Sequence, residues 1–225
     1  MGTVLITGAN HGLGLALTQA FLQAGWQVIA VTRGEELSTH PNLRNEPCDL
    51  AKGEEIAALT SRLHGVPIDV LVNNAAVYDS ASADDAMATT DHAQLVNVFA
   101  VNAVAPKMLA DALVPNLQAG TSKLVVTMSS GMGTYAAFEQ YHAQHWAYSA
   151  SKAAVNYAMV SFAELHGDIK STLVNPGWMQ TTMGGNGAVL KPEESAAAIF
   201  DLIANHPDKL PIAQLVDYTG EKMNF

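Results

Sequence analysis

Apolar residues in this chain fall into short unbroken runs separated by longer stretches with apolar positions at helical spacing. The short runs, such as Val4-Leu-Ile6 and Leu124-Val-Val126, lack polar alternation and are rich in β-branched residues. Such runs read as strands buried on both faces. They place strands near 3–7, 26–32, 43–48, 68–72, 122–128, 169–175 and 213–217. The amphipathic stretches predict helices near 13–24, 53–64, 91–117, 146–166 and 192–205. No repeat or low-complexity linker interrupts the alternation. It predicts an α/β fold: a doubly wound parallel sheet with helices on both faces and right-handed crossovers. The 225 residues are expected to form one domain, 1–225.

The first strand runs into Thr7-Gly8-Ala9-Asn10-His11-Gly12-Leu13-Gly14 and then a helix pattern. Glycines let the backbone turn tightly and approach a pyrophosphate without a Cβ in the way. The helix start offers unpaired N–H groups and the positive end of its dipole to phosphate. Strand, glycine-rich turn and helix in that order mark a dinucleotide site.

Composition narrows the partners. The formal charge of −10, from 11 Lys and Arg against 21 Asp and Glu, argues against nucleic acid or an anionic membrane surface. The single cysteine, Cys48, allows no intramolecular disulfide and suits a reducing compartment. It reads as a buried strand-end residue. No apolar run reads as long enough to span a bilayer, and the amino terminus enters a strand without a basic leader. The expected location is the cytoplasm.

The second strand ends at Thr32-Arg33. An acid there would hold a ribose 2′-hydroxyl, whereas an arginine holds a 2′-phosphate. NADP(H) is therefore favoured over NAD(H). Tyr148 and Lys152 lie at i and i+4 and share one helix face. A lysine beside a phenol favours the phenolate and lowers a pKa that starts at about 10. A tyrosine so tuned exchanges a proton with a carbonyl oxygen or an alcohol near neutral pH. Ser130, after a strand, would polarise the same oxygen.

The spacing Gly-x-x-x-Gly-x-Gly after Thr7 resembles the fingerprint of the short-chain dehydrogenase/reductase family. Asn73-Asn74-Ala75-Ala76, Asn102, Ser129-Ser130, Tyr148-x-x-x-Lys152 and Asn175-Pro176-Gly177 follow in the family's order. The resemblance covers essentially the whole chain and is nearest to the carbonyl-reductase-like and C-signal-like branch. It implies hydride exchange between a nicotinamide and a carbonyl, with Ser130, Tyr148, Lys152 and Asn102 as the catalytic set. Ser129 is the competing hydroxyl. Asn102 is implied to hold a helix bend and a relay water. Asp49 and Leu50 would meet the adenine, with Asp49 as a helix cap the other reading. Gly8, Asn10, His11, Gly12, Leu13, Gly14, Arg33, Asn74, Ala75 and Ala76 join them on the cofactor. Pro176, Gly177 and Met179 are implied around the carboxamide, with the Thr181 hydroxyl supporting it or the phosphate, and Tyr148 and Lys152 are implied to contact the cofactor as well. His11 replaces a second basic residue of NADP-preferring relatives, and Ala76 replaces a glycine.

The segment between Ser130 and Tyr148 is about one helical turn longer than the common family pattern. With the stretch after Gly177, it gives Met132, Phe138, Tyr141, Trp146, Trp178 and Met183 as substrate-facing residues. Few are charged, so a small apolar carbonyl or alcohol is the expected substrate. His142 and His145 lack a third ligand with metal spacing, so no metal is expected. The resemblance also implies a homodimer or homotetramer through the helices near 91–117 and 146–166, unless the inserted segment covers that surface. The reading from another class is a non-catalytic nucleotide-binding signalling or redox-sensor protein on the same fold. Retention of the Tyr/Lys pair favours the enzyme.

Overall fold

The computed structural model describes residues 2–34, 37–78, 91–137 and 145–225. Strands β1 (Thr3–Thr7), β2 (Gln27–Thr32), β3 (Leu43–Pro47), β4 (Val70–Asn73), β5 (Leu124–Met128), β6 (Lys170–Asn175), β7 (Leu215–Asp217) and β8 (Lys222–Met223) form one sheet. Its order is β3-β2-β1-β4-β5-β6-β7-β8. Every pairing through β7 is parallel, and β8 returns antiparallel to β7. The order reverses between β1 and β4, so the carboxyl ends of those strands open a crevice.

Apolar burial on both sheet faces explains the unbroken strand runs. Leu5 and Val125 point to one face, where α2 (Gly53–Arg62), α4 (Ala105–Ala112) and α6 (Trp146–Leu165) contribute Leu59, Leu109 and Phe162. Val4, Ile6, Leu124 and Val126 point to the other. There α1 (Gly12–Gln23) and α7 (Pro192–Ala204) contribute Leu17, Phe21 and Ile199. Cys48 is buried at the end of β3, as expected, and burial pushes its thiol up to about 11.

The helix expected over 91–117 is in fact segmented. It comprises α3 (His92–Phe99), a π-helical turn (Ala100–Val104), α4 and α5 (Val114–Ala119). Ala105 donates to the Ala100 carbonyl, five residues back. Pro106 has no N–H to offer the Asn102 carbonyl, and Pro115 sits in the first turn of α5. The stretch His92–Ala112 does have the length and hydropathy of a membrane span, which corrects the sequence reading. In this fold Val98, Val101, Leu109 and Ala110 of that stretch are buried. Strand β8 escaped the sequence because two residues carry no readable alternation. Asp217 shapes the turn before it, accepting from the Thr219 and Glu221 amides.

Candidate active site

A cleft of about 1890 Å³ lies along the carboxyl edge of the sheet. Its floor is the β1–α1 turn. Gly8 has φ +65° and Gly12 φ +50°, and a Cβ on Gly14 would stand 2.0 Å from the Gly8 carbonyl oxygen. A side chain is excluded at these three glycines by backbone shape or by packing. The first turn of α1 holds no acid and no side-chain cap, so its N–H groups and dipole are available to an anion.

Paired asparagines brace that floor. The Thr7 hydroxyl accepts from the amides of Asn74 and Ala75, each at 3.0 Å. Asn74 Nδ2 donates to the Thr7 carbonyl at 2.8 Å and to that of Gly8 at 3.3 Å. Asn73 reaches the other way, to the Pro106 carbonyl and the Thr127 hydroxyl. These amides tie β1, β4 and β5 together at the cleft edge, where the ladder stops supplying backbone partners.

Arg33, exposed at the end of β2, lines a recess of about 370 Å³ with Asn10, His11 and Gly34. Asp49 and Leu50 line the cleft nearby. Asp49 Oδ1 also accepts from the Ala51 amide at 3.1 Å, and Lys52 Nζ stands 3.5 Å from its other oxygen. Asp49 does not cap α2, whose N-cap is Lys52 with no side-chain cap; it shapes the turn before that helix and lines the cleft. Every residue expected around a cofactor, from Gly8 to Thr181, lines this one cleft.

The reacting groups converge from β5 and α6. Tyr148 and Lys152 are 8% and 2% exposed. Lys152 Nζ donates to the Met128 carbonyl at 2.8 Å and lies 5.7 Å from the Tyr148 ring centroid. Burial pushes the ammonium down from 10.5 to about 8. Both serines line the cleft, but their hydroxyls have different partners. Ser129 is buried with its hydroxyl on the Asn156 side-chain oxygen. Ser130 lies beside the cleft, and its oxygen accepts from the Met132 amide at 3.1 Å.

Asn102 is not in the cleft wall. It sits in the π-helical turn, 1% exposed, and clamps the Val77 peptide from both sides at 2.8 Å. It also donates to the Ser151 hydroxyl at 3.0 Å, which in turn donates to the Tyr148 carbonyl at 2.7 Å. An unfavourable helix asparagine is here stabilised by three hydrogen bonds, the one to Ser151 buried and the two to Val77 partly so.

Residues 2–188 match the family model described as short chain dehydrogenase. The chain belongs to that family. Among its relatives, the C-signal of Myxococcus xanthus is 35% identical over 142 residues, 61% of this chain and 81% of that protein. The carbonyl reductase Sniffer of D. melanogaster superposes with a TM-score of 0.87 at 26% identity, all of both chains being covered. A carbonyl reductase from Pseudomonas aeruginosa in complex with NADP gives a TM-score of 0.80 at 30% identity, again with full coverage of both. This short-chain dehydrogenase is thus an oxidoreductase by family.

The substrate side departs from the sequence reading at one residue. Met132, Trp178 and Met183 line the cleft. Trp146 does not: it is 51% exposed on the outside of α6. Two residues before Tyr148, it is rotated about 200° around the helix axis. Phe138, Tyr141 and His142 lie outside the described residues. The sequence reading passed over Tyr78, whose ring centroid is 4.5 Å from that of Tyr148 and 4.8 Å from that of His145. No motif flags it, and its only signal is an aromatic residue just past the small residues that end β4. Among the described residues no three His, Cys, Asp or Glu side chains cluster as for a metal.

Proposed function

We propose that this short-chain dehydrogenase is an NADP(H)-dependent carbonyl reductase, able to run in reverse as an alcohol dehydrogenase. One observation carries the reading: Tyr148 faces the glycine-floored cleft with the buried Lys152 ammonium beneath it. A tyrosine over a dry lysine is suited to proton transfer at a carbonyl oxygen.

A dinucleotide fits the residues present. The Gly8, Gly12 and Gly14 cradle and the uncapped start of α1 suit a pyrophosphate. Arg33, with His11 beside it, suits a 2′-phosphate. The NADP-bound carbonyl reductase of similar fold supports the same choice. When bound, the cofactor supplies the hydride, which no side chain can.

The protein's own part is the proton and the oxygen. Ser130 Oγ, already accepting from Met132, directs its own hydrogen to the substrate oxygen and polarises it. Tyr148 gives its phenolic proton to that oxygen as the alcohol forms, and takes it back in the reverse direction. The Lys152 charge stabilises the resulting phenolate. Met132, Trp178 and Met183 give the cleft an apolar wall, which favours a small apolar ketone or aldehyde beside one polar reacting centre.

The test follows oxidation of NADPH and of NADH over a panel of aryl ketones, aliphatic aldehydes, keto acids and sugars. Turnover with NADPH and an apolar carbonyl is the expected result. Nucleotide binding without turnover on any carbonyl would overturn the proposal, and a preference for acids or sugars would overturn its substrate class.

A further inference from the structure

We infer that Tyr78 is a positioning residue that sets the attitude of the Tyr148 ring; the inference rests on the proposed role of Tyr148. The Tyr78 ring packs on Tyr148 with centroids 4.5 Å apart and planes at 50°, and on His145 at 4.8 Å and 43°. Both distances lie in the range where tilted aromatic pairs attract. The Tyr78 hydroxyl reaches the Met132 sulfur at 3.8 Å, tying this ring to the residue that follows the Ser130-Gly131 corner. One side chain therefore touches both the reacting ring and the residue whose amide holds Ser130 Oγ.

The backbone under Tyr78 is held by the same group that holds the backbone of Tyr148. Asn102 clamps the Val77 peptide from both sides, and through Ser151 it reaches the Tyr148 carbonyl. The two rings thus hang from one buried amide fixed in a π-helical turn. Such turns are frequent at functional sites. The arrangement links the Asn102 bend to ring orientation with no direct contact between Asn102 and the cleft. The Lys152 ammonium stands 5.7 Å from the centroid of the same Tyr148 ring. Tilting that ring changes both the aim of the phenol and its distance from the charge.

The contact is made by the ring, so a leucine removes it and a phenylalanine keeps it. In Tyr78→Leu we expect kcat to fall by about 10- to 100-fold, the scale of a small misplacement of a reacting group. NADPH dissociation, read by direct titration, should stay within about two-fold, because the Tyr78 ring packs on Tyr148 and His145. The pH profile of kcat should move, and Tyr78→Phe should restore most of the rate and the original profile. An unchanged kcat in Tyr78→Leu would overturn the inference, as would equal loss in the Leu and Phe variants. So would a loss shared by kcat and NADPH affinity with an unmoved pH profile, the mark of general disturbance. Tyr148→Phe measured in parallel separates the two readings: if it stays active, the proton-transfer role fails first. If it is inactive while Tyr78→Leu is normal, only the positioning role fails.

Discussion

Replacing Lys152 with methionine should abolish turnover yet stabilise the protein in the absence of nucleotide. Burial alone holds the ammonium at about 8 rather than 10.5. At about 1.4 kcal/mol per ten-fold change in proton affinity, keeping it charged at pH 7 costs the fold about 3 kcal/mol. Methionine fills a similar volume without charge. It gives up the hydrogen bond to the Met128 carbonyl, which is worth about 1 kcal/mol. The net gain is about 2 kcal/mol, or about 4–8 °C in Tm for a chain of this size. The sign with pH is specific. Between pH 8 and 10.5 the unfolded chain binds more protons at this lysine than the folded one, so wild-type stability rises there relative to the variant. The variant's lead should be full below pH 8, vanish roughly 1.5 pH units above that, and turn into a deficit of about 1 kcal/mol by pH 10.5. Urea unfolding of both proteins at a series of pH values checks this, since groups common to both cancel. A lead independent of pH, or a variant less stable at pH 7, would refute the reasoning.

Tyr148→Phe removes the proton donor with little change in volume, so kcat should drop by about 10²- to 10⁴-fold while NADPH affinity measured by titration holds. Ser130→Ala should lower kcat by about 10²- to 10³-fold. Ser129→Ala should instead keep most activity and lose about 1–3 kcal/mol of stability in denaturation, because it strands the buried Asn156 oxygen. Arg33→Ala should erase a preference for NADPH over NADH in kcat/KM; equal selectivity in both proteins would remove Arg33 from phosphate recognition. Val96, Val104, Met108, Tyr157 and Leu165 are exposed apolar residues on α3 to α4 and α6, which supports pairing of two copies there. Light scattering at micromolar concentration should give a dimer or tetramer mass, reduced by Tyr157→Arg, and a wild-type monomer would refute the pairing.

Much of this protein was legible before its structure because the decisive signals are local. Unbroken apolar runs mean strands covered on both faces, and Gly14 at the start of α1 stands where a Cβ would strike the Gly8 carbonyl. Tyr148 and Lys152 share a face by helical period alone. What remained depends on contacts between residues far apart in sequence. Ser129 and Ser130 are chemically alike and both line the cleft, and only Asn156, brought in from α6, occupies the Ser129 hydroxyl. Trp146 looks like a pocket aromatic until the helix rotation that aims Tyr148 inward turns it outward. Periodicity suggested one helix over 91–117, yet Pro106 and the demand of the Val77 peptide for Asn102 open a π-helical turn within it. Tyr78 carries no motif, and it meets Tyr148 only because β4 ends and α6 begins at the same edge of the sheet. Sequence period determines which face a residue takes on its own element, whereas the sheet order decides which faces meet.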